Sequence, residues 1–213
     1  MTTTDMVRIL GIDPGLTRCG VGVVEGPSSR ARLVAAACVR TAADLPIEQR
    51  LHQLYRALSE AVKVHMPTAI AVERVLFTAN VRTAMATGQA AGIALLVAAE
   101  AGLDVHAYSP NEIKQTVTGD GAADKEAVAA MVTRQLHLAA PPTPVDVTDA
   151  IAVALTHVAR SRLASLSARS GQAGVLVEAS RQAAQAAKGG WEALLGDRIP
   201  AASSRPSTAR RRS

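Results

Sequence analysis

Four acidic residues stand where a carboxylate can do chemistry. Asp13 follows an apolar run, Val7 to Ile12, and Glu73 closes another, Thr68 to Glu73. Asp146 and Asp149 lie three residues apart in the opening turns of a helical stretch, so they share one of its faces. Taken singly, most have ordinary explanations. Asp13 sits in an Asp-Pro-Gly turn, where Asp is common. Asp146 falls near a helix start, where negative charge meets the helix dipole favourably. Asp149 resists such a reading, because the run DAIAVALTHVA is mostly apolar and a carboxylate buried there needs a partner.

If the strands ending in Asp13 and Glu73 are neighbours and the last helix crosses them, all four acids converge. Crowded carboxylates repel one another unless a cation neutralises them. An all-oxygen ligand set without His or Cys spacing suits Mg²⁺ or Mn²⁺, not zinc. Two such ions about 4 Å apart serve in-line hydrolysis of a phosphodiester, one activating water and the other stabilising the leaving 3′ oxygen. Other chemistries find no support. Ser109 and the five histidines show no nucleophile elbow, and there is neither a Walker A sequence nor a G-x-G-x-x-G opening a helix after a strand. His157, on the last helix, is open between a core place and an approach to the metals.

The elements that must position these acids can be read from periodicity. Val7 to Ile12, Cys19 to Val24 and Leu33 to Arg40 are three strands in sequence joined by short loops, an antiparallel meander. Ile47, Leu51, Leu54, Tyr55, Leu58 and Val62 then fall at helical spacing, with Pro46 in the first turn. The strand ending in Glu73 follows. Asn80 caps a helix rich in Ala and Gly that stops at Gly102. Asp104 to Tyr108 is a fifth strand, and Ser109-Pro110-Asn111-Glu112 is a capping-box start. Asp124 to about Leu138 is a further helix. Thr143 with Asp146 fits another capping box, opening a last helix that reaches at least His157. The order is that of an α/β domain with a mixed sheet.

Composition bounds the rest. Of 213 residues 48% are apolar but only 2% aromatic, so the core must be built from Ala, Val, Leu and Ile. Residues 1–159 carry 13 Lys and Arg against 15 Asp and Glu, and residues 160–213 carry 10 against 3. The basicity therefore belongs to the tail, and a nucleic-acid partner would need a local basic surface on the acidic part. From Ser161 the chain turns to Ala, Ser, Gly, Gln and Arg. It reads as a folded domain over residues 1–160 followed by a basic, flexible tail over 161–213. Cys19 and Cys38 make no disulfide framework. No uninterrupted apolar run approaches the roughly 18 residues of a membrane span, and MTTTDMVR lacks the features of a secretory signal. Together these point to the cytoplasm and away from a membrane.

The residues now in view resemble the RuvC family of bacterial Holliday-junction resolvases, within the RNase H-like superfamily. RILGIDPGLTRCGVGVV is similar to the family's first strand, with its catalytic Asp at Asp13. AIAVERV carries the family's Glu at Glu73, and VDVTDAIAVALTH its last acidic pair at Asp146 and Asp149. NVRTAMATGQAAGIAL and KQTVTGDGAADKEAV look like its long helix and its DNA-facing segment. The resemblance covers about residues 7–159, in order and spacing.

It implies an RNase H-like mixed five-stranded sheet, three strands antiparallel and then two parallel, flanked by helices. It implies a homodimer that binds a four-way DNA junction and nicks two opposed strands with Mg²⁺, two ions per site, with Mn²⁺ able to substitute. The products would carry 5′-phosphate and 3′-hydroxyl ends. RuvA and RuvB branch-migration proteins would be partners. The family's DNA-contacting lysines fall on Lys114 and Lys125, for which solvated helix charges are an equally good reading. The aromatic that the family commonly has three residues after the Glu is replaced by Leu76, with Phe77 next to it, so either could be the wedge that stacks on opened bases. Two rivals remain. An actin-like ATPase shares the first hairpin but needs a duplicated domain, and a junction-binding protein with a dead metal site would lack one of the four acids.

Overall fold

The structure is a computed structural model that describes residues 7–27, 30–74 and 80–169, with side chains to residue 164. Five strands, β1 (Arg8–Asp13), β2 (Arg18–Glu25), β3 (Arg32–Arg40), β4 (Ala69–Glu73) and β5 (Asp104–Tyr108), form one sheet in the order β3-β2-β1-β4-β5. β1 and β2 pair antiparallel, as do β2 and β3, whereas β4 runs parallel to both β1 and β5. This is the mixed sheet expected from the sequence.

Alternation along the strands assigns the two faces. Leu10 and Ile12 of β1 join Ile70 and Val72 of β4 beneath α1 (Ile47–His65) and α2 (Val81–Glu100), through Leu54, Leu58, Ala94 and Val97. Ile9, Ala69 and Ala71 join the other face, covered by α3 (Pro110–Thr118), α4 (Lys125–Gln135) and α5 (Val145–Arg169). Asp13 and Glu73 share the parity of Ile9 and Ala71, so both carboxylates project toward α3, α4 and α5. The faces of the sheet thus select which helices can complete a site.

α5 lies directly on the sheet because β1 and β2 offer it no side chains there. A Cβ on Gly20 would fall 1.8 Å from the Asp146 carbonyl oxygen, and one on Gly11 would fall 2.1 Å from that of Ala150. From Ala150 to Val158 every residue of α5 is buried, as befits a helix covered on all sides. Across the sheet, Glu25 is buried between Arg8 and Arg32. Arg8 Nε donates to Glu25 Oε2 at 2.6 Å and Arg32 Nη2 to Oε1 at 2.6 Å, which ties β1, β2 and β3 together.

Local signals set most helix ends. Ser109 and Glu112 form the reciprocal capping box, and the Asn80 and Asp124 side chains accept from Thr83 N and Ala127 N. Two helix ends differ from expectation. α4 ends at Gln135, because His137 adopts a left-handed φ of 52° and the Leu138 amide turns back to the Thr133 carbonyl. α5 begins at Val145, one residue later than a Thr143 cap requires, and the Asp146 carboxylate is engaged by Arg18 instead of closing a capping box. The compact unit containing the sheet runs Met1–Leu163, and a second unit comprises Ala164–Ser213. Residues 170–213, most of the basic tail, lie outside the described residues, as do Leu76 and Phe77.

α2 is long and apolar enough, by length and composition alone, to cross a membrane. Ala90, Ala94, Val97 and Ala98 bury one side of it against the sheet and α1, while Val81, Met85, Leu95 and Leu96 are exposed.

Candidate active site

The four sequence-predicted acids come together at one end of the sheet. β1 and β4 are neighbours with Ile12 opposite Val72, so the next residue on each is Asp13 and Glu73. α5 starts beside them, with the Asp146 backbone against Gly20, the register partner of Asp13. Helical spacing puts Asp149 on the same side of α5 as Asp146. All four are half-buried.

Their charges act on one another. The Asp13 carboxyl is pushed up to about 7, first by burial and then by the negative charges of Glu73, Asp149 and Asp146, against a smaller opposing pull from Lys125. Glu73 is also raised, by burial and by Asp149, with Lys125 and Lys114 opposing. Two basic residues hold the helix acids. Arg18 Nε and Nη2 both donate to Asp146 Oδ2, at 2.8 and 2.5 Å, and Lys125 Nζ donates to Asp149 Oδ2 at 3.0 Å.

Lys114 and Lys125, read from the sequence as DNA contacts or as solvated helix charges, line a cleft of about 110 Å³ together with Glu73 and Asp149. Lys125 is exposed yet bonded into the acidic cluster, so it is more than a charge in solvent. His157 stands apart from the acids. Its Nδ1 meets the Tyr108 hydroxyl at 2.7 Å, its ring lies 4.1 Å from that of His106, and burial lowers its pKa to about 4. That is a core place. Arg160 closes this corner, over the Tyr108 ring and paired at 3.1 Å with Glu112.

Sequence reading missed Arg18. Its partner lies 128 residues away, and the only local signal was an arginine at the strand start just after the Asp-Pro-Gly turn. Tyr108 was read only as the end of a strand, although it stands opposite Glu73 in the sheet register.

The donor set fits a divalent cation. It consists of carboxylate oxygens, and the Asp13 carboxyl is raised first by burial and then by the three neighbouring acids, whose charge a bound cation would offset. Among the described residues, no three acidic, His or Cys side chains are already gathered closely enough to cage an ion. The Arg18 and Lys125 contacts account for two of the four being turned to other partners.

Residues 9–157 match the family model described as crossover junction endodeoxyribonuclease RuvC. The protein of that name from Salinispora arenicola (strain CNS-205) is 51% identical over 173 residues, covering 79% of this chain and 99% of its own. The one from Streptomyces griseus is 49% identical over 156 residues, covering 73% and 76%. Among solved structures, T. thermophilus RuvC in complex with Holliday junction substrate superposes with a TM-score of 0.71 at 38% identity, covering 74% of this chain and 96% of that one. The yeast mitochondrial Holliday junction resolvase Ydc2 shares the fold at 11% identity, with a TM-score of 0.54 over 72% and 79%.

Proposed function

The chain belongs to the crossover junction endodeoxyribonuclease RuvC family, and from that premise we propose that Asp13, Glu73, Asp146 and Asp149 form its hydrolytic centre. The protein is a nuclease of DNA recombination that resolves four-way junctions. The observation that carries the site assignment is the convergence of four half-buried acids, Asp13 and Glu73 at neighbouring strand ends and Asp146 and Asp149 on the helix packed against Gly20. Burial and then the other three acids raise the Asp13 carboxyl to about 7.

The four carboxylates would hold divalent metal, Mg²⁺ with Mn²⁺ able to replace it, two ions per site. When bound, such ions supply an activated water and a counter-charge for the leaving 3′ oxygen. The chain's own residues do the rest. β1 and β4 fix Asp13 and Glu73 side by side, while Gly20 lets α5 bring its acid pair down onto them. Lys114 and Lys125, on the wall of the cleft, attract the strand's phosphates and set its path past Glu73 and Asp149. This is the local basic surface that a slightly acidic domain needs. Hydrolysis of the P–O3′ bond gives a 5′-phosphate and a 3′-hydroxyl, ends that can be rejoined.

Symmetric nicking of two opposed strands calls for two sites related by a two-fold axis. The exposed Val81, Met85, Leu95 and Leu96 of α2 supply an apolar surface for a homodimer. Work in the cytoplasm beside RuvA and RuvB completes the reading, and residues 161–213 would add salt-sensitive, shape-blind affinity for DNA. Leu76 or Phe77 would be the wedge at the crossover.

The test is cleavage of a synthetic four-way junction beside linear duplex of the same sequence, with Mg²⁺ and with EDTA. Paired nicks in the junction alone, dependent on the metal, are expected. Equal cutting of the duplex, or cutting in EDTA, would overturn the proposal.

A further inference from the structure

Arg18 opens β2 beside the acids, and nothing in the hydrolysis described above uses it. Its Nε and Nη2 both donate to one oxygen, Asp146 Oδ2, and the Cys38 thiol on β3 is a further, weaker partner. The arginine side chain is 46% exposed and the aspartate 24%, so the pair lies where ion pairs are weak and other anions can compete. The backbone beneath it is firmly held. Arg50 donates to Thr41 Oγ1 at 2.9 Å and to Thr17 Oγ1 at 2.7 Å, and Thr41 Oγ1 donates to the Leu16 carbonyl at 2.6 Å. Arg40, the register partner of Arg18 on β3, is exposed at the same end of the sheet. Lys114 and Lys125 come from α3 and α4, while Arg18 and Arg40 come from β2 and β3. The four acids therefore lie between two basic banks, and a strand crossing them carries phosphates past both.

We propose that Arg18 is a phosphate-contacting residue that occupies Asp146 until the DNA strand arrives. In the free protein its guanidinium covers the oxygen that a divalent cation needs. A strand phosphate matches the planar guanidinium fork as well as a carboxylate does. Once phosphate takes the arginine, Asp146 is released toward metal, and strand binding and metal loading strengthen each other reciprocally. This rests on the reading of Asp146 as a metal ligand.

The experiment uses the full chain and two binding readouts, neither of them cleavage. Mn²⁺ binding is titrated without DNA by electron paramagnetic resonance, and junction binding is titrated in EDTA across a salt series. Arg18→Met should bind Mn²⁺ about two- to fivefold tighter than the natural chain, because a competing cation is gone. It should bind junction more weakly, with a salt slope shallower by about one. Arg18→Lys, which keeps charge but loses the fork, should keep the natural salt slope and fall between in Mn²⁺ affinity and junction affinity, and those two affinities carry the test if the Met variant does not fold. Asp13→Asn is titrated alongside. If it loses Mn²⁺ binding while Arg18→Met binds Mn²⁺ no tighter, or keeps the natural salt slope, the role given to Arg18 is wrong and the metal site stands. If Asp13→Asn binds Mn²⁺ normally, the metal site itself is wrong.

Discussion

Gly20→Ala tests how the site is assembled without touching a carboxylate. The added Cβ would lie 1.8 Å from the carbonyl oxygen of Asp146 and 2.5 Å from its carbonyl carbon. Both atoms are backbone, so no rotamer change relieves the contact. To regain a separation of 3.0 Å, α5 must retreat by about 1.2 Å, carrying Asp146 and Asp149 away from Asp13 and Glu73. Overpacking of this kind costs about 1–3 kcal/mol of stability. Misplacing catalytic groups by about 1 Å costs about a hundredfold in rate. Lys114 and Lys125 sit on other helices, so affinity for DNA should survive. The assay measures urea unfolding, single-turnover cleavage of a four-way junction and junction affinity on one preparation. Cleavage should fall about a hundredfold, with affinity within a few-fold. Natural cleavage together with natural stability would show that α5 does not rest on β2 as described.

Further outcomes follow from the electrostatics. Asp13 binds its proton up to about pH 7 in the metal-free fold, against 3.8 for an ordinary aspartate. The folded state therefore holds the extra proton and loses stability as pH rises through that window. Without metal, Asp13→Asn should melt higher than the natural chain at pH 8 and nearly level with it at pH 4; an equal difference at both would contradict the burial assigned to Asp13. Glu25, held below the ordinary carboxylate range first by its Arg8 hydrogen bond, stabilises the fold above that range and loses this as acid protonates it. Glu25→Gln should cost about 2 kcal/mol at pH 7, less than a fully buried pair because both arginines reach solvent, and the gap in unfolding free energy should close as acid takes the pH below the ordinary carboxylate range and through the lowered value of Glu25. Lys125→Ala should weaken junction binding and lower its salt slope by about one unit in a gel-shift series.

Much of the fold was legible because its signals are local. Strand periodicity, the Asn80 cap and the Ser109–Glu112 capping box each depend on residues a few positions apart, and the make-up of the sheet, three strands antiparallel and two parallel, followed from the resemblance. Asp13, Glu73 and the α5 pair could be singled out because each stands at the end or start of an apolar element. What could not be read are partnerships across the chain. Asp146 reads locally as a helix-capping acid, and only the packing of α5 on Gly20 brings it to Arg18. Glu25 falls just past the Cys19–Val24 run with no local sign of a role, yet two arginines make it a buried tie between strands. Tyr108 and His157 meet 49 residues apart, so the choice between core and site for His157 needed the fold.

The central claim is that the four acids act on the phosphodiester and do not serve to bind DNA. It is tested most directly by substituting Asp13→Asn, Glu73→Gln, Asp146→Asn and Asp149→Asn singly. Cleavage of a synthetic four-way junction at millimolar Mg²⁺ is then measured beside junction affinity in EDTA. Each change should abolish cleavage and leave affinity unchanged or tighter, since removing an anion cannot weaken attraction to phosphate. Natural cleavage by Asp13→Asn, or junction binding lost along with cleavage in a folded variant, would contradict the account.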